Sequence, residues 1–128
     1  MNDPVLSPRL LACAAYVRDR YPLQVGSVRV ADVERLATAT CASLEEFPLS
    51  GGVLGCTVFV GGHGHTAIRE GLRSANRSRW RFTLAHESAE IILRRYLSAL
   101  ADQSRRERVC DAFAAELLLP GMVVGESV

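Results

Sequence analysis

The chain has 128 residues, a formal net charge of +1, 48% hydrophobic residues and 23% charged residues. This length suits one compact domain that buries its own core. The balance excludes a disordered chain and any strong whole-molecule attraction to nucleic acid or membrane. No apolar run reaches 18 residues, which excludes a transmembrane helix. The start, MNDPVLSPRL, lacks the basic opening and long apolar stretch of a secretory leader, so a cytoplasmic location is expected.

Residues 1–8 carry Pro4 and Pro8 and read as an irregular lead-in. From Arg9 to Tyr21, Leu10, Leu11, Ala14, Ala15 and Val17 fall at helical spacing, and Pro22 stops that helix. Residues 27–30 alternate as a short strand. Ala31 to about Cys41 reads as a second helix, with Asp32 at its start and Val33, Leu36, Ala37 and Thr40 facing inward. The stretch PLSGG at 48–52 is loop chemistry. Val53 to Val60 is a β run. Gly61, Gly62 and Gly64 make a turn, and His65 to Arg69 returns as a second strand, giving a hairpin. Residues 70–78 are polar and irregular.

Trp80 to about Leu100 is the longest helical pattern, with Phe82, Leu84, Ala85, Ala89, Ile92, Leu93, Tyr96 and Leu97 inward. After a break at 101–104, with Asp102 or Ser104 as cap, a last helix runs from about Arg105 to Leu119. Pro120-Gly121 ends it, and 121–128 is a short tail. Strands precede the last helices without strict alternation, so the expected class is α+β in a single domain. The four cysteines, at 13, 41, 56 and 110, include no CxxC pair and read as buried free thiols. All 15 basic residues are Arg, which reads as coding bias of a GC-rich genome.

The stretch Arg81-Phe82-Thr83-Leu84-Ala85-His86-Glu87-Ser88-Ala89-Glu90 carries the chemistry. It is a variant of the zinc-peptidase helix His-Glu-x-x-His. In that motif, positions i and i+4 share one helix face and grip one metal, and the Glu at i+1 is the general base. Here the second His is Glu90. A carboxylate there still points the right way, but the donor set becomes harder and less selective for zinc over manganese or iron. A third ligand comes from the next helix, where Glu107 and Asp111 share a face. One can ligate, and the other can fix the tautomer of His86. The expected set is therefore His86, Glu90 and Glu107 as metal ligands, Asp111 behind His86, and Glu87 as base. The cofactor is one divalent metal, zinc first, with manganese or iron as alternatives.

Two other features were weighed. His63 and His65, placed in the hairpin turn, are candidates for an oxyanion donor or an auxiliary ligand, against a reading as a plain polar turn. Arg69, Arg73, Arg77, Arg79 and Arg81 read as a solvated loop first and a protein-docking surface second. They have no recognition helix or stacking aromatics for direct nucleic-acid binding, which is not expected.

The segment RFTLAHE at 81–87, followed by CDAFAAELLLP at 110–120, resembles the ImmA/IrrE family of metallopeptidases. The resemblance spans about 10–120 and is detailed over 81–120. It implies a minimal zincin-like fold, a small antiparallel sheet or hairpin packed with about four helices. It also implies His86, Glu87 and Glu107 as ligand, base and ligand. The partner it implies is a helix-turn-helix repressor in a phage, mobile element or stress response. Glu90 departs from the family's His, so two functions stand: a metal-dependent endopeptidase cutting such a repressor, or an inactive pseudoprotease that binds a partner without cleavage.

Overall fold

A computed structural model describes residues 5–120. The tail expected at 121–128 and the first four residues of the lead-in lie outside it. The first helix, α1 (Pro8–Arg20), starts on Ser7, whose hydroxyl accepts the backbone N–H of Leu10, and carries Pro8 where a missing N–H costs nothing. Pro22 ends the helix by opening a strand. β1 (Pro22–Val25) pairs antiparallel with β2 (Val28–Ala31) in a two-stranded hairpin. α2 (Val33–Thr40) is capped by Asp32 and buries Val33, Leu36 and Ala37.

The second sheet has three strands in the order β3 (Ser43–Phe47), β5 (His63–Arg69), β4 (Gly55–Val60). β4 and β5 form the expected hairpin, turning on Gly61 and Gly62, both in the left-handed region. β3 runs parallel to β5, so the sheet is mixed and not wholly antiparallel. A parallel neighbour requires a crossover, and the chain between β3 and β5 supplies it with loop and β4. One face of β5 buries Gly64, Thr66 and Ile68 against the helices.

The long helical pattern is divided. After the short α3 (Leu72–Ala75), α4 runs Arg77–Ile92 from an Asn76 cap, and α5 covers Arg94–Ser98. The break falls at Leu93, whose backbone leaves the helical region at φ −97°, ψ 13°. Both segments keep an apolar face on the core, so the periodicity continues across the break. Tyr96 is exposed, not inward. α6 (Gln103–Leu118) is capped by Asp102 and packs along α4.

The core joins α1, α2, α4 and α6 through Ala14, Leu36, Leu84, Phe113 and Leu117. The class is α+β, with six helices and two small sheets among the described residues. The four thiols are free, but only Cys110 is buried. Cys56 is exposed, because it points outward from β4 with Val58 and Val60. The arginine stretch is not a loop patch. Arg73 and Arg77 pair with Glu34 and stack on the Trp80 ring.

Candidate metal centre

α4 and α6 bring the expected site residues together. His86 and Glu90, one turn apart on α4, face Glu107 and Asp111 on α6. The Nε2 atom of His86 lies 3.7 Å from Glu90 Oε1 and 3.1 Å from Glu107 Oε2. Its Nδ1 lies 2.7 Å from Asp111 Oδ1, the contact that fixes which ring nitrogen is left for a ligand. In a tetrahedral zinc site with bonds of about 2.0–2.2 Å, donor atoms sit roughly 3.4 Å apart. The two Nε2–carboxylate distances bracket that separation, so each carboxylate lies where it could share a cation with His86.

Charge points the same way. Four carboxylates surround one imidazole. Among the described residues, His86 is the ion-pair partner of Glu90, Glu107 and Asp111, and no arginine bridges any of the three. Without a cation, His86 takes up the imbalance. Burial alone would lower its pKa, but the acceptors Glu90 and Asp111 and the charge of Glu87 outweigh it and push the value up to about 9.

Glu87, the residue after His86, lines the same cleft, turns toward the sheet, and is 5% exposed. Burial first, and then the charge of Glu90, push its pKa up to about 7, against the hydrogen bond from Thr57 and the charge of His86. That bond comes from Thr57 Oγ1 on β4, 2.8 Å from Glu87 Oε1. Thr57 has one hydroxyl proton, and it goes to the carboxylate. The 2.8 Å bond between Thr57 and Thr66 is then donated by Thr66, which itself accepts from the Cys41 thiol at 3.3 Å. A partly buried chain, Cys41 to Thr66 to Thr57, thus ends on Glu87 and aims it. Isolated hydroxyls in a strand leave no motif, so sequence reasoning missed this chain. The one usable signal was the period-2 alternation that puts Thr57 and Thr66 on the helix-facing side.

β4 approaches α4 closely at Gly55. A Cβ there would lie 2.7 Å from Thr83 Cγ2 and 3.3 Å from Glu87 Cγ. The close approach makes one wall of a cleft of about 340 Å³, lined by Leu54, Gly55, Phe82, Thr83, His86 and Glu87. A second cleft, of about 300 Å³, opens on Thr57, Phe59, Glu90, Arg94 and Cys110. His86 and Asp111 line the first, Glu90 and Cys110 the second.

His63 and His65 are not brought to this site. Both lie within β5, not in the turn, and strand alternation puts them on the face opposite Gly64 and Thr66. His65 Nδ1 instead bonds Ser43 Oγ at 2.8 Å. Cys110 does join the site. Its Sγ, a nitrogen of His86 and a carboxylate oxygen of Glu90 all lie within 4.8 Å of one another. Sequence reasoning gave this thiol a packing role only.

No curated protein and no solved structure matches the chain. No helix among the described residues is long and apolar enough to cross a membrane. Residues 73–124 match the family model described as the IrrE N-terminal-like domain, Peptidase_M78. The match begins in α3 and includes all of α4 and α6, the two helices that carry His86, Glu87, Glu90, Glu107 and Asp111. Over this site-bearing segment the chain is similar to the IrrE N-terminal-like domain of the metallopeptidase family Peptidase_M78.

Proposed function

We propose that the chain is a divalent-metal-dependent endopeptidase acting on a helix-turn-helix repressor, with zinc as the first candidate metal. The observation that carries this reading is the convergence of Glu90 and Glu107 on the free ring nitrogen of His86, with no arginine within ion-pair distance of either among the described residues. His86, Glu90 and Glu107 would hold the cation. Bound there, it supplies Lewis acidity that polarises a carbonyl and acidifies water.

The protein groups do the rest. Asp111 accepts the Nδ1 proton of His86 and keeps the imidazole neutral at Nε2. Glu87 receives a proton from water and later returns it to the leaving amine. Burial and the charge of Glu90 raise the proton affinity of Glu87 in the metal-free chain, the direction a general base needs. Thr57 restrains one Glu87 oxygen, so the carboxylate is aimed before substrate arrives. The cleft beside Leu54, Gly55 and Phe82 accepts an extended chain next to these groups. The repressor as substrate rests on the family resemblance.

The test begins with metal content. Purified, tag-free protein loaded with zinc or manganese is expected to hold about one metal per chain, lost in His86→Ala and Glu107→Ala. Cleavage of a helix-turn-helix repressor should then vanish in Glu87→Gln while the metal stays. Protein that takes up no metal under any loading overturns the hydrolase reading. One observation favours a second reading. Glu90 stands where the family carries a neutral imidazole, which makes the donor set more anionic and a bound cation a weaker Lewis acid. Under that reading the chain binds its partner without cutting it. Repressor bound but uncleaved by metal-loaded protein would identify it.

A further inference from the structure

We propose that Cys110 is a ligand of the cation held by His86 and Glu90, so that the centre is a His–Glu–Cys site with Glu107 completing it from the rim. The inference rests on the metal-dependent reading above and changes its donor chemistry. It starts from placement. Cys110 is 1% exposed, and its Sγ lies within 4.8 Å of both a His86 nitrogen and a Glu90 oxygen, which also lie within that distance of each other. Glu107, by contrast, keeps 45% of its side chain exposed and is held at Oε1 by Gln103 at 3.0 Å. The inner of the two α6 donors is the sulfur.

A buried cysteine commonly behaves as a small apolar side chain. The surroundings here argue against that role alone. Val109, Phe113, Ala114 and Leu117 make the apolar face of α6. Cys110 is buried along with them, but Glu107, three residues back, adjoins it on the helix surface. Cys110 lines the cleft that contains Glu90. Burial first, then the charges of Glu90, Glu107, Glu87 and Asp111, hold the thiol protonated in the absence of a cation. On metal binding the S–H bond breaks, a sulfur–metal bond forms, and the proton leaves to solvent.

The chemistry accounts for the departure at position 90. One imidazole and two carboxylates make a hard site suited to manganese or iron as much as to zinc. Adding a thiolate restores a soft donor and a preference for zinc.

Cobalt(II) is the probe, because thiolate ligation gives it a near-ultraviolet sulfur-to-metal absorption that oxygen and nitrogen ligands do not. Chelator-stripped full chain, kept reduced with a phosphine, is titrated with cobalt chloride. The expected result is about one cobalt per chain with that absorption. The band should be lost in Cys110→Ala and Cys110→Ser and kept in Cys41→Ser. Zinc affinity should fall by more than about 100-fold in Cys110→Ser, beyond the loss typical of an outer hydrogen-bond partner. Manganese affinity should fall much less. The wild-type spectrum decides the matter even if a variant folds poorly. Stoichiometric cobalt without the band overturns Cys110 as ligand and leaves the His86–Glu90–Glu107 reading standing. A band that survives both Cys110 substitutions also overturns it. Neither cobalt nor zinc bound overturns both readings together.

Discussion

The hydroxyl of Thr57 gives β4 a hydrogen bond to Glu87, the proposed base, and replacing it with a methyl tests the link. Thr57→Val keeps the shape and removes the donor 2.8 Å from Glu87 Oε1. Glu87 is 5% exposed, so water does not replace the lost partner. When Glu87 is ionised, the cost is that of a hydrogen bond to a charged group, roughly 1.5–3 kcal/mol. When it is protonated, the cost is that of a neutral one, about 0.5–1.5 kcal/mol. The difference, about 1.2 kcal/mol, is close to one pKa unit, so the Glu87 pKa should rise from about 7 toward about 8. The sign follows from linkage. A carboxylate whose pKa is higher folded than unfolded contributes stability at low pH, and that stability is lost as pH rises through the folded value. Thr57→Val should therefore be mildly destabilising at about pH 5 and more so, by roughly 1 kcal/mol, at about pH 9. Urea denaturation of chelator-stripped protein, followed by circular dichroism, reads both, with Thr57→Ser as the control that keeps the hydroxyl. Equal losses at the two pH values would refute the argument that this bond serves the charged form.

Other perturbations have equally definite outcomes. Metal-free protein should lose stability between pH 6.5 and about 9, because the raised pKa of His86 contributes stability fully below its unfolded value and loses it through the folded one. The loss should be no more than about 3 kcal/mol, and His86→Gln should flatten that limb in a pH series of urea melts. Asp111→Ala, which frees His86 Nδ1, should weaken zinc binding by about 10–100-fold in a chelator competition without unfolding the protein. Gly55→Ala puts a Cβ 2.7 Å from Thr83 Cγ2, so β4 must move off α4. Peptidase activity should drop while the melting temperature of metal-free protein changes less than in Phe113→Ala. That core truncation should cost about 3–5 kcal/mol.

The sequence made α4 and α6 legible because their signals are local. His86, Glu87 and Glu90 lie within two turns, and Glu107 and Asp111 one turn apart, so helical spacing alone groups each set on its own helix. Caps at Asp32 and Asp102 fixed two helix starts in the same way. What stayed hidden depends on contacts between distant segments. β1 exposes all four of its residues, and β3 places Glu45 beside Glu46, so neither shows the alternation that marks a strand. Each exists because a partner strand offers its backbone. The break at Leu93 carries no Gly or Pro, and the apolar pattern runs on through it. The place of Cys110 was hidden for a related reason. One residue can belong both to the apolar face of α6 and to the edge that meets α4, and only the packing of the two helices shows which neighbours the sulfur has.

The same packing bears on what Glu90 does to the chemistry. Exchanging the family's neutral imidazole for a carboxylate adds one negative charge to the donor set, and a thiolate from Cys110 adds another. A more anionic set leaves any bound cation less able to acidify water, so hydrolysis would require a more basic acceptor in return. Glu87 is built in that direction. It is buried, faces the like charge of Glu90, and receives a single hydroxyl in compensation. Each of the first two features raises its affinity for a proton. The two departures from an ordinary zinc helix therefore act in opposite senses on one proton transfer. Glu90→His should undo both at once, because it restores a neutral donor and removes the charge nearest the base. Such a variant should bind zinc more tightly, and the acid limb of its pH–rate profile should move to lower pH. A tighter site whose acid limb does not move would show that Glu90 acts on the metal alone.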